Sequence, residues 1–235
     1  KKKIQLIIII SDSIEDQFFF NLKKKFNEKL LILNKKNFFK KKYEIDYIFF
    51  LSSPSNDTIS TKAFDKNYKF LKKILDYLLD QKISKFVFLS SGGVYGTNKK
   101  KKLLQETFKH KNKKSLYAQH KIRCEELLND YHNQYFINIC ILRVFSVFGP
   151  NMDFDKYFIG NIFKHILEKS DFKIFNPNLF YRNYIYIDDL IKIIFKSLKL
   201  NSKFSIINVG NFNIRNDILY KTLIKYFNHN KVKPK

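Results

Sequence analysis

Of its 235 residues only two are cysteine, four proline and six glycine, and none is tryptophan. Cys124 and Cys140 cannot build a disulfide framework, and no Cys/His cluster has zinc-ligand spacing, so a reducing compartment is the natural reading. None of the glycines precedes Gly92. No run reaches the roughly 18 apolar residues that span a bilayer. The opening KKKIQLIIII is apolar only briefly, meets charged residues at once and offers no small-residue cleavage site, unlike a signal peptide. A soluble, cytoplasmic protein without a membrane partner is the expectation. Acidic side chains are scarce too, 21 against 45 lysines and arginines, for a formal net charge of +24. Such charge ordinarily points to nucleic acid or an anionic membrane. Here the lysines are spread through the whole chain among many asparagines, isoleucines and phenylalanines, as an AT-rich coding sequence would give. Nucleic acid is therefore not the expected partner.

What is present is a core. At 45% hydrophobic residues the chain is globular, and its length suits one domain or one domain with a small appended lobe. Residues 4–10 form a continuous β-branched run of the kind buried on both faces of a parallel sheet. A helix is expected from near Ser13, where Asp16 follows as in a capping box, and then LLILN as a second strand, a βαβ opening. Further strands are expected at 44–53, 86–91, 136–145, 172–175 and over FSIINVGN. Helices are expected at 61–81, from Tyr117, at 157–169 and at the end of the chain. The helix at 61–81 shows apolar residues at helical spacing, including Phe64, Leu71, Leu75 and Leu78, and reads mainly as core packing.

The stretch richest in chemistry begins FVFLSSGGVYG and, about twenty residues on, reaches YAQHK. Tyr117 and Lys121, four apart, share one helix face. A lysine ammonium beside a phenol lowers its pKa from roughly 10 towards neutrality and makes a usable acid/base. Ser91, at the carboxyl end of the preceding strand, could complete a proton relay where open parallel sheets place their ligands. With 14 tyrosines and abundant lysine, the spacing alone is weak. Joined to SSGGVYG upstream and LRVFSVFGP downstream, it resembles the extended short-chain dehydrogenase/reductases, the NAD-dependent epimerase/dehydratase family acting on nucleotide-sugars.

That resemblance implies an α/β fold: a Rossmann-like doubly wound parallel sheet with helices on both faces and a small C-terminal substrate lobe. Residues 1–150 would bind the dinucleotide, and 151–235 would form the lobe, partly interleaved with the sheet. The family's glycine-rich turn falls on Ile9, Asp12 and Glu15, whose side chains would obstruct a pyrophosphate. Asn34 and Lys35 stand where an acid would select NAD, so NADP is favoured over NAD; Lys35 and Lys36 as ordinary solvated lysines remain open. Residues 37–42 are short where the family has another helix and strand. Leu51, Ser52 and Ser53 would line the dinucleotide, although a buried strand followed by an ordinary turn explains them equally. Asn67 falls near a family helix asparagine. Gly92 and Gly93 replace the acidic pair of dehydratases, which favours a 4-epimerase or ketoreductase over elimination.

In the implied mechanism Ser91, Tyr117 and Lys121 are catalytic, and Lys121 also meets the nicotinamide ribose. Phe145 would approach the nicotinamide through its backbone. Ser146, where the family has asparagine, would meet the substrate phosphates, and Arg182 in YRNYIYIDDL would hold the nucleotide diphosphate; for Arg182 a structural ion pair remains the alternative. Residues 99–114 read as a flexible basic loop with Glu106 and Ser115 at family landmarks. The expected partners are a nucleotide-diphosphate sugar and a second copy packed through the Tyr117 helix and its neighbour. An alternative reading keeps the fold without a working cofactor loop, as a nucleotide-sugar or protein binding module.

Overall fold

Apolar runs with too few polar residues to face water assemble first into sheets. In the computed structural model, which describes residues 7–10, 30–33, 37–40, 43–54, 60–96, 104–108, 115–150, 152–155, 157–170 and 181–230, nine strands form. They are β1 (Ile7–Ile10), β2 (Leu30–Leu33), β3 (Tyr47–Phe50), β4 (Lys85–Ser91), β5 (Ile139–Val144), β6 (Ser146–Phe148), β7 (Tyr181–Tyr186), β8 (Phe204–Val209) and β9 (Phe212–Arg215). Six make one sheet in the order β2-β1-β3-β4-β5-β8, with every neighbouring pair parallel. Ile8 lies between Leu31 and Ile48, and Ile141 between Phe88 and Ile206.

Among the described residues five α-helices accompany the strands: α1 (Thr61–Leu78), α2 (Leu116–Tyr135), α3 (Phe158–Glu168), α4 (Ile187–Ser197) and α5 (Asn216–Asn230). Side chains alternate across the sheet. Ile48, Phe50, Phe86, Phe88, Ile139 and Ile141 pack against α1 and α2 on one face. Phe49, Val87, Cys140 and Leu142 meet α4 on the other. The expected doubly wound sheet with helices on both faces is what the chain builds. Ser60 and Ser115 cap α1 and α2 by accepting from the amides of Ala63 (3.1 Å) and Ala118 (3.3 Å).

The passage from β2 to β3 must cross β1, and its described residues contain only a 3₁₀ turn, Phe38–Lys40. Phe38 is driven into the core, edge-on to Phe39 (4.9 Å) and Tyr77 (5.5 Å). One buried ring thus stands where a helix and strand were expected to be missing. The strand foreseen at 136–145 starts later, at Ile139. Phe136 instead ends α2 in the left-handed region (φ 59°), its N–H donating to the His132 carbonyl. The opening helix from Ser13 and the strand at 172–175 lie outside the described residues.

A second sheet, β6-β7-β9, is parallel at one pair and antiparallel at the other. With α3 and α5 it encloses a small core around Ile159, Ile162, Tyr184 and Leu219. The chain passes between the two sheets three times, from β5 to β6, from β7 into α4 and from β8 to β9.

Candidate active site

The strand order reverses at β1, with β2 on one side and β3 on the other, and such a reversal opens a crevice at the carboxyl ends of the strands. β3 delivers Leu51 and Ser52, both buried, and Ser53, half-buried, to that end. β4 delivers Ser91, whose Oγ accepts from the Gly93 amide at 3.0 Å and so starts the 3₁₀ turn Gly92–Tyr95. Packing fixes both glycines. A Cβ on Gly92 would fall 2.4 Å from the Phe145 ring, and one on Gly93 would crowd Ser91 Oγ at 3.2 Å. An acidic pair cannot be accommodated here without moving the ring and the hydroxyl.

α2 begins at this end of the sheet, so its first turns face Ser91's strand. Lys121 is 2% exposed, and its ammonium donates to the carbonyl of Leu89 at 2.8 Å, two residues before Ser91. It also lies 4.8 Å from the centre of the Phe88 ring and 5.7 Å from that of Tyr117. Tyr117 is half-buried, and among the described residues its hydroxyl has no hydrogen-bond partner. Lys121 and Tyr117 thus share a helix face packed on the strand that ends in Ser91, whose hydroxyl accepts from Gly93. This donor set fits a nicotinamide ribose and a sugar hydroxyl on the described side of the crevice. Asn34, Lys35 and the turn carrying Asp12 and Glu15 lie outside the described residues.

The remaining expected residues separate by role. The amide of Phe145 is taken by Val209 O at 3.1 Å, and its ring lies over Gly92 and nearly parallel to Tyr95 at 6.4 Å. Ser146 opens β6 beside Tyr184 of β7. Arg182 is exposed on β7, with its guanidinium 5.5 Å from the Phe158 ring, and it forms no ion pair among the described residues. Asp188 and Asp189 instead occupy the first turn of α4, where carboxylates suit the helix dipole, and Asp189 pairs with Lys192 at 2.8 Å.

Two buried polar networks were not anticipated. In one, Glu125 of α2 and Arg143 of β5, both 3% exposed at the side chain, meet at 2.7 Å. Ser90 donates to the same carboxylate. Arg143 also donates to the Tyr95 hydroxyl at 2.6 Å and to Glu106 O at 3.0 Å. Burial works against the charge of Arg143, and the Glu125 carboxylate, with the Tyr95 hydroxyl, more than offsets it, holding the guanidinium above its ordinary value. Tyr95 donates onward to Asn208 at 2.9 Å, and the Asn208 amide donates to the Glu106 carboxylate at 2.8 Å. Residues 104–108, expected to belong to a flexible loop, are thereby pinned across the ends of β5 and β8. A charged residue inside the run ICILRVF was the legible signal, because a buried arginine requires a partner.

The other network joins Ser52, Asn67 of α1 and His120 of α2. Asn67, at the family's helix asparagine in a helix read mainly as core packing, is wholly buried and bonded on both sides of its amide. Nothing in the spacing of α1 and α2 could have paired it with His120.

Residues 4–210 match the sequence model of the NAD dependent epimerase/dehydratase family. Over 157 residues the chain is 31% identical to an uncharacterized protein of Methanocaldococcus jannaschii, covering 65% of this chain and 46% of that one. Over 146 residues it is 31% identical to a UDP-glucuronate 4-epimerase of Thermodesulfobacterium geofontis, covering 62% and 44%. The chain thus spans about half the length of the curated relatives it matches. Its fold resembles that of UDP-N-acetylglucosamine 4-epimerase from Methanobrevibacter ruminantium (TM-score 0.78, 22% identity, 97% of this chain and 83% of that one). UDP-glucuronic acid 4-epimerase from Bacillus cereus, solved with UDP-glucuronic acid and NAD, is also similar (TM-score 0.75, 21% identity, 95% and 83%). With a family match running from the first strand to the end of β8, and with Ser91, Tyr117 and Lys121 set at the carboxyl end of its sheet, this chain belongs to the NAD-dependent epimerase/dehydratase family.

Proposed function

We propose that the chain is an NAD-dependent nucleotide-sugar epimerase or ketoreductase working at a sugar carbon through Ser91, Tyr117 and Lys121. The observation that carries this reading is the buried Lys121 ammonium, held by Leu89 O at 2.8 Å on the helix face that presents Tyr117. A bound nicotinamide would accept and return hydride. Tyr117 takes the proton of a sugar hydroxyl onto its phenolic oxygen and returns it. Lys121, on the same helix face, hydrogen-bonds the ribose, and Ser91 orients the hydroxyl. Leu51, Ser52, Ser53 and Phe145 face the dinucleotide, while Ser146 and Arg182 take the diphosphate of the sugar nucleotide; an exposed arginine with no carboxylate partner among the described residues suits that task. Family resemblance extends the proposal to a small substrate lobe within residues 151–235, interleaved with the large sheet through α4 and β8, and to a homodimer packed through α1 and α2.

Tyr117→Phe tests it. Turnover of UDP-glucose or UDP-glucuronic acid should fall about 10²- to 10⁴-fold, the usual scale of general acid–base catalysis, with the affinity for the sugar nucleotide unchanged. A fully active Tyr117→Phe protein removes Tyr117 from the mechanism. Titration with NAD and NADP in turn decides the cofactor. A folded sample that binds neither supports a sugar-nucleotide binding module instead, the reading favoured by Asp12 and Glu15 in the turn.

A further inference from the structure

We propose that His120 is a positioning residue that ties the Tyr117–Lys121 turn of α2 to the loop leaving β3, so that dinucleotide affinity depends on it. The inference rests on the dinucleotide reading above. His120 sits directly before Lys121 and three residues after Tyr117, on the buried side of the helix. Its ring stacks on Phe64 of α1 at 4.8 Å with a 24° tilt, and Phe64 also lies 6.4 Å from the Tyr117 ring. Nε2 of His120 is 3.0 Å from Asn67 Oδ1, and Asn67 Nδ2 donates to Ser52 Oγ at 3.1 Å. Since the amide gives its NH₂ to Ser52, its carbonyl accepts from the imidazole, and the hydrogen of His120 resides on Nε2. Asn67 and Ser52 are both fully buried.

Three elements that share no strand pairing are thus joined by two directional bonds in a dry interior. Such bonds specify one arrangement, because breaking either leaves a buried polar group unpaired. Ser52 belongs to the loop that would face the dinucleotide, and His120 belongs to the turn that carries Lys121. Placement of the loop and of the lysine is therefore a single structural variable, and the imidazole transmits it.

His120→Phe keeps a ring on Phe64 and removes the donor, whereas His120→Gln keeps a donor at similar reach. In calorimetric titration of the full chain with NAD, His120→Phe should weaken binding about tenfold, as expected for a buried acceptor left unpaired, and His120→Gln should stay within about threefold of the parent. Affinity for UDP-glucose, measured without added dinucleotide, should not change. Asn67→Leu, which removes the middle of the link, should reproduce the loss, and the double variant should lose no more than either alone. It also provides the reading should His120→Phe fail to fold. A lowered melting temperature with unchanged NAD affinity, or additive losses in the double variant, overturns the proposal alone. A parent protein that binds no dinucleotide overturns the dinucleotide reading, and the proposal with it.

Discussion

Gly92 shows how a single position can carry a constraint that its backbone does not reveal. Its Cα is the floor on which the Phe145 ring rests, and a methyl group there would sit 2.4 Å from that ring. Gly92→Ala should therefore destabilise the fold by about 1–3 kcal/mol, the usual cost of overpacking, and displace the ring stacked on Tyr95. Thermal or urea unfolding checks the first expectation, and NAD affinity the second; a variant as stable as the parent would show that the ring moves freely. Ser91 gains from the same geometry. With Gly93 bare, its hydroxyl stays uncrowded while still accepting from the amide two residues on. The absence of the acidic pair was legible in the sequence as a clue to reaction type. Its steric side was not, because Phe145 comes from the junction of β5 and β6, more than fifty residues away.

Among elements, the pairing of α2 with β5 is the most exacting. Glu125 and Arg143 are charges taken out of water, and each is stabilised chiefly by the other. Glu125→Ala should cost about 3–5 kcal/mol, because it leaves Arg143 charged and buried, whereas exchanging both residues for apolar ones of similar volume should cost far less. Denaturant titration of the single and double variants measures this difference. Equal costs would mean that the pair contributes no more than its packing. The same variants should loosen residues 104–108, since Arg143 and Asn208 hold Glu106 from two strands.

At this scale the sequence was a good guide wherever one face or one period sufficed. The apolar runs gave the strands of the large sheet, helical spacing gave α1, and Tyr117 and Lys121 fell on one helix face as their spacing requires, whereas β6, β7 and β9 of the smaller sheet went unforeseen. It was a poor guide wherever a residue's meaning depends on a partner from a distant segment. Asn67 matched a family asparagine but gave no sign of its partners Ser52 and His120, and Phe136 looked like strand because it is apolar, although it closes a helix in the left-handed region.

For the whole molecule, charge and topology matter most. If a chain of formal charge +24 takes the anionic ligands proposed for it, it should associate with them faster at low ionic strength. Stopped-flow association with NAD or UDP-glucose should slow about tenfold between low salt and about 0.5 M, with dissociation far less affected. A rate indifferent to salt would place the lysines away from the approach path. The six-stranded sheet reaches its last strand only after the chain has visited the smaller sheet, so neither lobe is a continuous stretch of sequence.

The three passages between the sheets are short. Phe145 alone separates β5 from β6, β7 runs into α4 without an intervening residue, and only Gly210 and Asn211 separate β8 from β9. Asn211 is itself bonded to Tyr184 O at 2.9 Å, and Asn183 is packed against Gly210. Three such seams, side by side, leave no single axis about which the smaller lobe could swing. A sugar nucleotide bound as proposed would therefore meet two sheets already set against each other rather than a lobe that closes over it.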